Sequence, residues 1–325
     1  MHTANQQPVM QQVETSSETG VAAFTSRVYA TRERINQTEE QRAVSLFALV
    51  DTRSVPELRS ALNRLETIPF VALWDGTDLA THENVSPLLI ELGLDAEDGD
   101  TAQALLKRLW EFSVHGFSVT WIWSFHELTT VAMHLQSYCE YTLPDRSTFY
   151  VHYSDNRILE RLRKVWTTDE WSRFASVAHE IWYRQRSGES VSWGSDADAS
   201  HAITAEPLVM TDDQHLALLE MGYADKAAME IRGVFGSRLA TFSPDQLYCA
   251  VANQIERATA HGIKEEPAVL RYASFGLLFS PDFDEHPQIR KLLQSARYGD
   301  VPLVQALSEI RVIARSAATA KGAGR

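Results

Sequence analysis

The sequence predicts an α/β fold, in which an N-terminal, mostly parallel sheet covered by helices is followed by a C-terminal all-helical lobe. From residue 43, short apolar runs alternate with amphipathic segments, a pattern typical of strands followed by helices. The runs that we interpret as strands are apolar on both faces, as expected for a parallel sheet between two helical layers. All eight tryptophans lie between Trp74 and Trp193, and the segments after residue 207 have helical periodicity only.

Four strands are predicted in the first part of the chain, each an apolar run bounded by turn or capping residues: 46–50, 70–74, 117–123 and 148–152. Helices are expected after residue 54, over 102–112, after residue 127, after residue 155 and in several segments beyond residue 211. Four capping boxes of the type Ser/Thr-x-x-Glu/Gln are predicted to begin helices: Ser54–Glu57, Ser124–Glu127, Thr211–Gln214 and Ser243–Gln246.

Composition divides the chain into five segments. They are a mobile arm that does not build the core (1–42), an α/β domain (43–186), a linker (187–206), a helical lobe (207–315) and a tail (316–325). The arm is rich in Gln, Thr, Ser and Glu, and a short helix is expected within it over 21–34. The linker is polar and rich in turn-forming residues.

The charge balance excludes two classes of partner. The chain has 30 Lys and Arg against 43 Asp and Glu, a formal net charge of −13, which repels phosphate backbones and anionic lipid surfaces. Neither nucleic acid nor a membrane is therefore an expected partner. The N-terminus lacks the pattern of a signal peptide and no long apolar run follows, so we expect a cytoplasmic protein. Cys139 and Cys249 fit no metal or redox spacing and are expected to be reduced, buried thiols.

The sequence contains no phosphate-binding loop, zinc-protease helix, nucleophile elbow or calcium-binding loop of the common types. Asp51, Asp75 and Asp155 each follow a predicted strand, where carboxylates could bind a divalent metal or act as a general base. The alternative is that each caps a helix or fixes a turn through its side-chain oxygen. An enzyme of this sequence would thus be a metal-assisted hydrolase that uses these three carboxylates.

Two further features each allow two interpretations. Trp121 and Trp123 share one face of a predicted strand, and form either an aromatic platform for a partner or part of the core. Acidic clusters that begin at Asp196 and at Asp282 would either bind a hard cation or lie in solvated loops.

The order and spacing of five segments resemble a known family: LFALVDT at 46–52, LWDGT at 73–77, SPLLIEL at 86–92, SFHELTTVAMHLQ at 124–136 and HYSDNRIL at 152–159. The family is the adaptor-chaperone domain of bacterial type VI secretion systems, of the Tap or effector-chaperone type. The later segments ATAHG at 258–262 and FSPDF at 279–283 are similar to the helical region that follows in these proteins. This chain has His152-Tyr-Ser-Asp-Asn-Arg157 where the family favours Arg-Tyr-x-Asp-Pro-Arg, and His134-Leu135-Gln136 where it favours His-Leu-Arg.

The resemblance implies a non-enzymatic adaptor that binds a specific toxin in the cytoplasm of the donor cell and helps to load it onto the VgrG spike protein. The implied partners are that toxin and the spike, and the resemblance implies no cofactor, metal or catalytic residue. Eight residues match the family motifs, and we expect them to be mainly structural: Asp51, Trp74, Asp75, Gly76, Pro87, His134, Asp155 and Arg157.

Overall fold

The computed structural model describes residues 12–16, 20–38, 43–65, 67–94, 99–194 and 208–322. The chain divides into two compact units, residues 1–218 and residues 219–325. We call the first the sheet unit, because it contains the described strands, and the second the helical unit.

Ten strands occur among the described residues: β1 (Gln12–Ser16), β2 (Ser45–Val50), β3 (Phe70–Ala72), β4 (Leu88–Leu92), β5 (Val119–Ser124), β6 (Glu140–Thr142), β7 (Thr148–Tyr150), β8 (Glu180–Arg184), β9 (Ser190–Gly194) and β10 (Leu208–Val209). Within the described ranges, seven of them form one sheet in the order β1-β9-β8-β5-β2-β4-β3. Neighbouring strands of this sheet are antiparallel throughout. A smaller sheet has the order β10-β6-β7, with β10 parallel to β6.

The prediction of a mostly parallel sheet is therefore wrong. β4 was not assigned as a strand from the sequence, yet it lies between β2 and β3 and runs opposite to both. β2 and β3 consequently run in the same direction, as a strand–helix–strand connection requires, but they are not neighbours. On the other side of β2, β5 is also antiparallel. The strands are apolar on both faces because helices cover both faces of an antiparallel sheet.

Six α-helices lie entirely within the described part of the sheet unit: α1 (Val21–Thr38), α2 (Leu58–Leu65), α3 (Gly99–His115), α4 (Leu128–Gln136), α5 (Asn156–Val165) and α6 (Thr168–Ala175). The side chains of β2 alternate between two cores. Leu46, Ala48 and Val50 belong to the core with α1 and α3, whereas Phe47 and Leu49 belong to the core with α4, α5 and α6. The sheet is thus enclosed between two helical layers.

α1 lies in the segment that was predicted to be a mobile arm outside the core, but it contributes to the core. Phe24, Val28 and Ile35 are at most 2% exposed, and the Phe24 ring centroid lies 4.9 Å from that of Trp121. The few apolar residues of α1 are separated by polar ones, so their shared face is a weak signal in sequence. Residues 1–11, 17–19 and 39–42 of the predicted arm lie outside the described residues.

Five further helices follow in the chain: α7 (Asp212–Phe235), α8 (Pro244–Ala260), α9 (Glu266–Leu278), α10 (Pro287–Tyr298) and α11 (Leu303–Gly322). α8 begins at the predicted capping box, in which the Gln246 backbone N–H donates to Ser243 Oγ at 3.2 Å. Tyr272, Ile289 and Ile310 are fully buried between α9, α10 and α11. The prediction of helices after residue 211 is thus confirmed for the described residues.

Three of the predicted segment boundaries differ from the observed elements. The linker predicted at 187–206 begins within the large sheet, because β9 includes Trp193, whose side chain is 7% exposed. Residues 195–207, with the acidic cluster at Asp196, lie outside the described residues. The predicted tail at 316–325 is helical as far as residue 322. The helical lobe predicted at 207–315 begins with a strand, because residues 208–209 form β10 and pair with β6, and the chain as far as residue 218 belongs to the sheet unit.

The two cysteines differ in exposure. Cys139 is buried, as predicted, but Cys249 is exposed. In the described ranges, every helix is too short or too polar to cross a membrane.

Candidate functional site

The first of two similar aspartate–arginine pairs lies directly after β2. Asp51 is 3% exposed, and its carboxylate accepts a hydrogen bond from the Arg53 backbone N–H at 3.1 Å, which caps the short 3₁₀ helix at 52–54. The Arg53 guanidinium folds back on the same carboxylate, with Nε at 2.9 and 3.0 Å from its two oxygens. One buried carboxylate therefore caps a helical turn and neutralises an arginine.

The second pair repeats this arrangement at the start of α5. Asp155 is 4% exposed and is the N-cap of α5, since its carboxylate accepts from the Arg157 backbone N–H at 3.0 Å. The Arg157 guanidinium binds both carboxylate oxygens, through Nε at 2.9 Å and Nη2 at 2.7 Å. The sequence interpretation of Asp155 as a helix cap is thus confirmed.

The two pairs meet, and we call the four side chains Asp51, Arg53, Asp155 and Arg157 the Asp–Arg network. Arg53 Nη2 lies 3.3 Å from Asp155 Oδ2, so Arg53 connects both carboxylates. The backbone brings the pairs together, because the N–H groups of residues 51 and 156 donate to carbonyls of residues 118 and 117, each at 2.8 Å. Both pairs therefore dock on the segment that enters β5.

The charges of the network favour the ionised form of the Asp155 carboxylate. Burial alone would raise the pKa of Asp155, but the hydrogen bonds and charge of Arg157, together with the charge of Arg53, outweigh burial and lower this pKa below its usual value. The hydrogen bond from Arg53 to Asp51 raises the pKa of Arg53. Since each carboxylate is occupied by guanidinium groups, neither is available as a general base. The arginines are about one third exposed, 36% for Arg53 and 35% for Arg157, and so present fixed donors at the surface.

The residues that depart from the family pattern also belong to this region. His152 lies where an arginine is favoured, and its ring centroid is 5.6 Å from that of Trp74. Burial, and then the charge of Arg53, lower the pKa of His152. The side-chain amide of Asn156 donates to the Val119 carbonyl at 3.0 Å. His152 and Asn156 thus contribute a ring contact and a hydrogen bond to this region.

Four of the family-motif residues lie close together. Trp74, Asp75 and Gly76 form the turn after β3, and Pro87 directly precedes β4. The Trp74 backbone N–H donates to Ser86 Oγ at 3.1 Å, and the Leu73 N–H donates to the Pro87 carbonyl at 2.9 Å. Gly76 has a φ of 78°, in the left-handed region that favours glycine. Asp75 is more exposed, and its carboxylate pairs with Arg59 at 3.1 Å. The turn is therefore held by backbone geometry rather than by its acidic residue.

His134 and Gln136 connect α4 to its surroundings. His134 is 2% exposed, and its Nε2 lies 2.9 Å from the Phe174 carbonyl, so this nitrogen carries the proton. Burial lowers the pKa of His134. Gln136 Nε2 donates to the carbonyls of Leu73 at 2.9 Å and Asp75 at 3.0 Å. The glutamine thus supplies two hydrogen bonds at the position where the family favours arginine.

The hypothesis of a metal-assisted hydrolase required Asp51, Asp75 and Asp155 to converge. Instead, Asp75 pairs with Arg59, while the other two carboxylates bind the arginines of the Asp–Arg network. Over the described ranges, no group of three or more His, Cys, Asp or Glu side chains has the arrangement of a metal site. The geometry thus gives this hypothesis no support.

The second acidic cluster, at 282–285, is also occupied by cationic and hydrogen-bonding side chains. Asp284 is 4% exposed and accepts from the Tyr272 hydroxyl at 2.6 Å and from His261 Nε2 at 2.9 Å. Arg257 adds a third contact, with Nε 3.2 Å from Asp284 Oδ2. Burial opposes ionisation, but these hydrogen bonds together lower the pKa of Asp284 to about 2. Asp284 therefore links α8, α9 and the loop before α10.

Trp121 and Trp123 do not form an exposed platform. They are 4% and 0% exposed, in the core between the large sheet and α1. The Trp123 ring centroid lies 5.6 Å from that of Trp182. Of the two interpretations from sequence, core packing agrees with these positions.

A different aromatic residue lies at the surface beside the Asp–Arg network. Phe117 is half-buried, and the guanidinium carbons of Arg157 and Arg186 lie 5.4 and 5.6 Å from its ring centroid. We call Phe117, Arg53, Arg157 and Arg186 the Phe117 patch. Arg53, Phe117 and Arg186 were not predicted as site residues from the sequence. The repeated spacing Asp-x-Arg, at residues 51–53 and 155–157, was the available signal for Arg53.

Comparisons with curated proteins and with solved structures found no match for this chain. A protein-family model matches residues 46–173, a range that includes β3 to β7, α2 to α5, the Asp–Arg network and all of β2 except Ser45. The matching family is described as a domain of unknown function, DUF4123.

Proposed function

We propose that this chain is a non-enzymatic adaptor chaperone, which binds a specific type VI secretion toxin in the donor cytoplasm and helps to load it onto the VgrG spike. The match of residues 46–173 to DUF4123 carries the proposal, because this domain is generally associated with adaptors of type VI secretion effectors. The segments that resemble the adaptor family in sequence lie in the same range.

The electrostatics of the Asp–Arg network support a binding role over a catalytic one. A general base needs a carboxylate that is free to accept a proton, and a metal site needs oxygens that point to one centre. Asp51 and Asp155 instead direct their oxygens to Arg53 and Arg157. The network is suited to capping the N-termini of the 3₁₀ helix at 52–54 and of α5, and to holding two guanidinium groups in fixed positions.

The Phe117 patch supports a protein partner on the sheet unit. Aromatic and arginine side chains are enriched among residues that dominate binding energy at protein interfaces. Arg53 and Arg157 are already ordered by buried carboxylates, so little conformational entropy is lost when a partner binds them. We therefore assign the Phe117 patch to the binding of one partner.

The overall charge of the sheet unit affects how a partner approaches. By sequence, residues 1–218 contain 17 Lys and Arg and 31 Asp and Glu, a net of −14. Such a charge accelerates association with a basic partner and slows it with an acidic one, and salt weakens both effects. We expect the association rate with a basic client to fall as salt rises.

The test is co-expression of the chain with the toxin and spike protein encoded beside its gene, followed by size-exclusion chromatography in low and moderate salt. We expect the toxin to co-migrate with wild type and with Arg64→Glu, an exposed charge reversal on α2. Arg186→Glu, the same change in the Phe117 patch, should weaken the complex by at least about tenfold if the patch contains anchor residues.

Two outcomes would oppose the proposal. If neither neighbouring protein co-migrates with wild type in either salt, the chain is not their adaptor. If the complex forms but both variants bind like wild type, the adaptor function stands and the Phe117 patch is not the binding surface.

A further inference from the structure

The helical unit contains an apolar pocket of ≈ 330 Å³ between α7, α9 and α11. Ile231 and Phe275, which are 3% and 4% exposed, lie at its base. Val234 of α7 lines the opening and is 74% exposed. The volume is near the lower end of the range for ligand pockets, about 300–1,000 Å³, so the pocket holds a few side chains rather than a folded domain.

Three arginines surround this apolar pocket: Arg238, Arg271 and Arg311. All three are exposed, and none has a hydrogen bond or ion pair to another described residue. The acidic lining residue, Glu230, is 3.8 Å from Lys226. The rim of the pocket is therefore positive, although the whole chain has a net charge of −13.

The helical unit differs from the sheet unit in its total charge as well. Residues 219–325 contain 13 Lys and Arg and 12 Asp and Glu, a net of +1. The acidic excess of the chain thus belongs to the sheet unit, and an acidic ligand would meet little general repulsion from the helical unit.

An apolar base with unpaired cations at the rim is complementary to an apolar surface flanked by carboxylates. An amphipathic helix provides this, because side chains at i, i+3, i+4 and i+7 form one apolar face and acidic side chains flank it. We propose that this pocket binds the apolar face of a short acidic amphipathic helix from a partner protein. The proposal does not depend on which protein supplies the helix, nor on the Phe117 patch.

The test selects the ligand chemistry directly, with the full chain as bait. The probe is a displayed library of helical peptides of about 16 residues, a little over four turns, with a fixed apolar face and Glu, Lys, Gln or Ser at the flanking positions. We expect enrichment of Glu over Lys at those positions. Binding of the enriched peptides, measured by fluorescence anisotropy, should weaken as salt rises.

Two matched pairs of variants locate the binding site. Val234→Glu should weaken the enriched peptides by at least about tenfold, whereas Met229→Glu, an equally exposed change on α7 outside the pocket, should not. Arg271→Glu should weaken binding similarly, and Arg290→Glu on α10 should have little effect. Circular dichroism of each variant checks that the helices remain folded.

Several outcomes would overturn the proposal. One is equal enrichment of Lys and Glu, and another is binding that Val234→Glu and Arg271→Glu leave unchanged. Enrichment of no peptide would also overturn it. If oleate then bound to wild type and not to Val234→Glu, the pocket would belong to a lipid carboxylate instead of a protein helix.

Discussion

The two units of this chain place their charged side chains differently. In the sheet unit, the Asp–Arg network pairs two buried carboxylates with two arginines at the surface. In the helical unit, Asp284 binds three side chains in the interior, while the arginines around the pocket have no partner among the described residues. In the sheet unit, buried carboxylates therefore hold arginine side chains in place at the surface. In the helical unit, Asp284 connects neighbouring elements in the interior, which we call the internal link, and the arginines around the pocket remain exposed to solvent.

The largest expected effect concerns the internal link. Asp284→Ala leaves Arg257, His261 and Tyr272 without their shared acceptor, and breaking a buried ion pair in this way costs about 3–5 kcal/mol. We expect hydrogen-exchange protection of α8 and α9 to fall accordingly, with little change in the large sheet. Asp282→Ala is the matched control, because Asp282 is 64% exposed and pairs with Arg257 at 3.5 Å. It should cost at most about 1 kcal/mol; an equal loss in both variants would show that Asp284 is not the link.

The corresponding change in the sheet unit is Asp155→Ala. It removes an N-cap and an ion pair with Arg157, and we expect a cost of about 3 kcal/mol, since the arginines are partly exposed and regain hydration. Asp75→Ala, which removes a more exposed pair with Arg59, should change the free energy of unfolding by at most about 1 kcal/mol. Chemical denaturation of both variants measures this difference. A stable Asp155→Ala variant that no longer binds the toxin would place Asp155 at the interface instead of the fold.

A pair of glycines tests the packing of the helical unit with opposite signs. A Cβ at Gly276 of α9 would lie 2.2 Å from the Gln254 side chain, which is held by a hydrogen bond to the Pro281 carbonyl. Gly276→Ala should therefore destabilise the unit by about 1–3 kcal/mol. Gly233→Ala on α7 meets no atom within 4 Å and should stabilise by up to about 1 kcal/mol. Melting temperatures that shift in the same direction would contradict the close approach of α8 and α9.

The smallest expected effect is a difference in acid sensitivity. Burial lowers the pKa of His134 in the sheet unit below its usual value of 6.5, so the folded state favours the neutral imidazole. The contribution of His134 to stability is therefore complete above pH 6.5 and is lost as the pH falls through the lowered pKa. The effect of Asp284 is complete above pH 3.8 and is lost only as the pH falls towards about 2. Hydrogen-exchange protection should thus decrease in α4 and the large sheet before it decreases in α8 and α9. His134→Gln should reduce the early decrease, and the reverse order of loss would contradict these assignments.

The sequence predicted local features better than pairings between distant segments. The capping boxes at Thr211 and Ser243 formed, because each serine or threonine directly precedes a helix. Those at Ser54 and Ser124 did not form: Ser54 ends a 3₁₀ turn, and Ser124 Oγ donates to the Val177 carbonyl. Local spacing alone does not specify which distant acceptor a hydroxyl will meet.

Contacts between residues far apart in the chain determine the direction of the strands and the set of residues that meet in the candidate site. β4 lies between β2 and β3 in the sheet although it follows both in sequence, so the hydrophobic pattern of each strand did not reveal the order. The role of Asp155 as a cap was predictable, since the cap is local. The contact between Arg53 and Asp155 joins residues far apart in the chain, and no pattern in either segment predicts it.

Delivery of the toxin by living cells tests adaptor function most directly. The donor strain lacks this gene and is complemented with wild type, Arg64→Glu or Arg186→Glu, and the toxin that reaches susceptible neighbours is measured. We expect delivery of that toxin to be lost on deletion while spike assembly continues, and to be restored by wild type and Arg64→Glu but not by Arg186→Glu. Unchanged toxin delivery in the deletion strain would contradict the proposal that this chain is an adaptor.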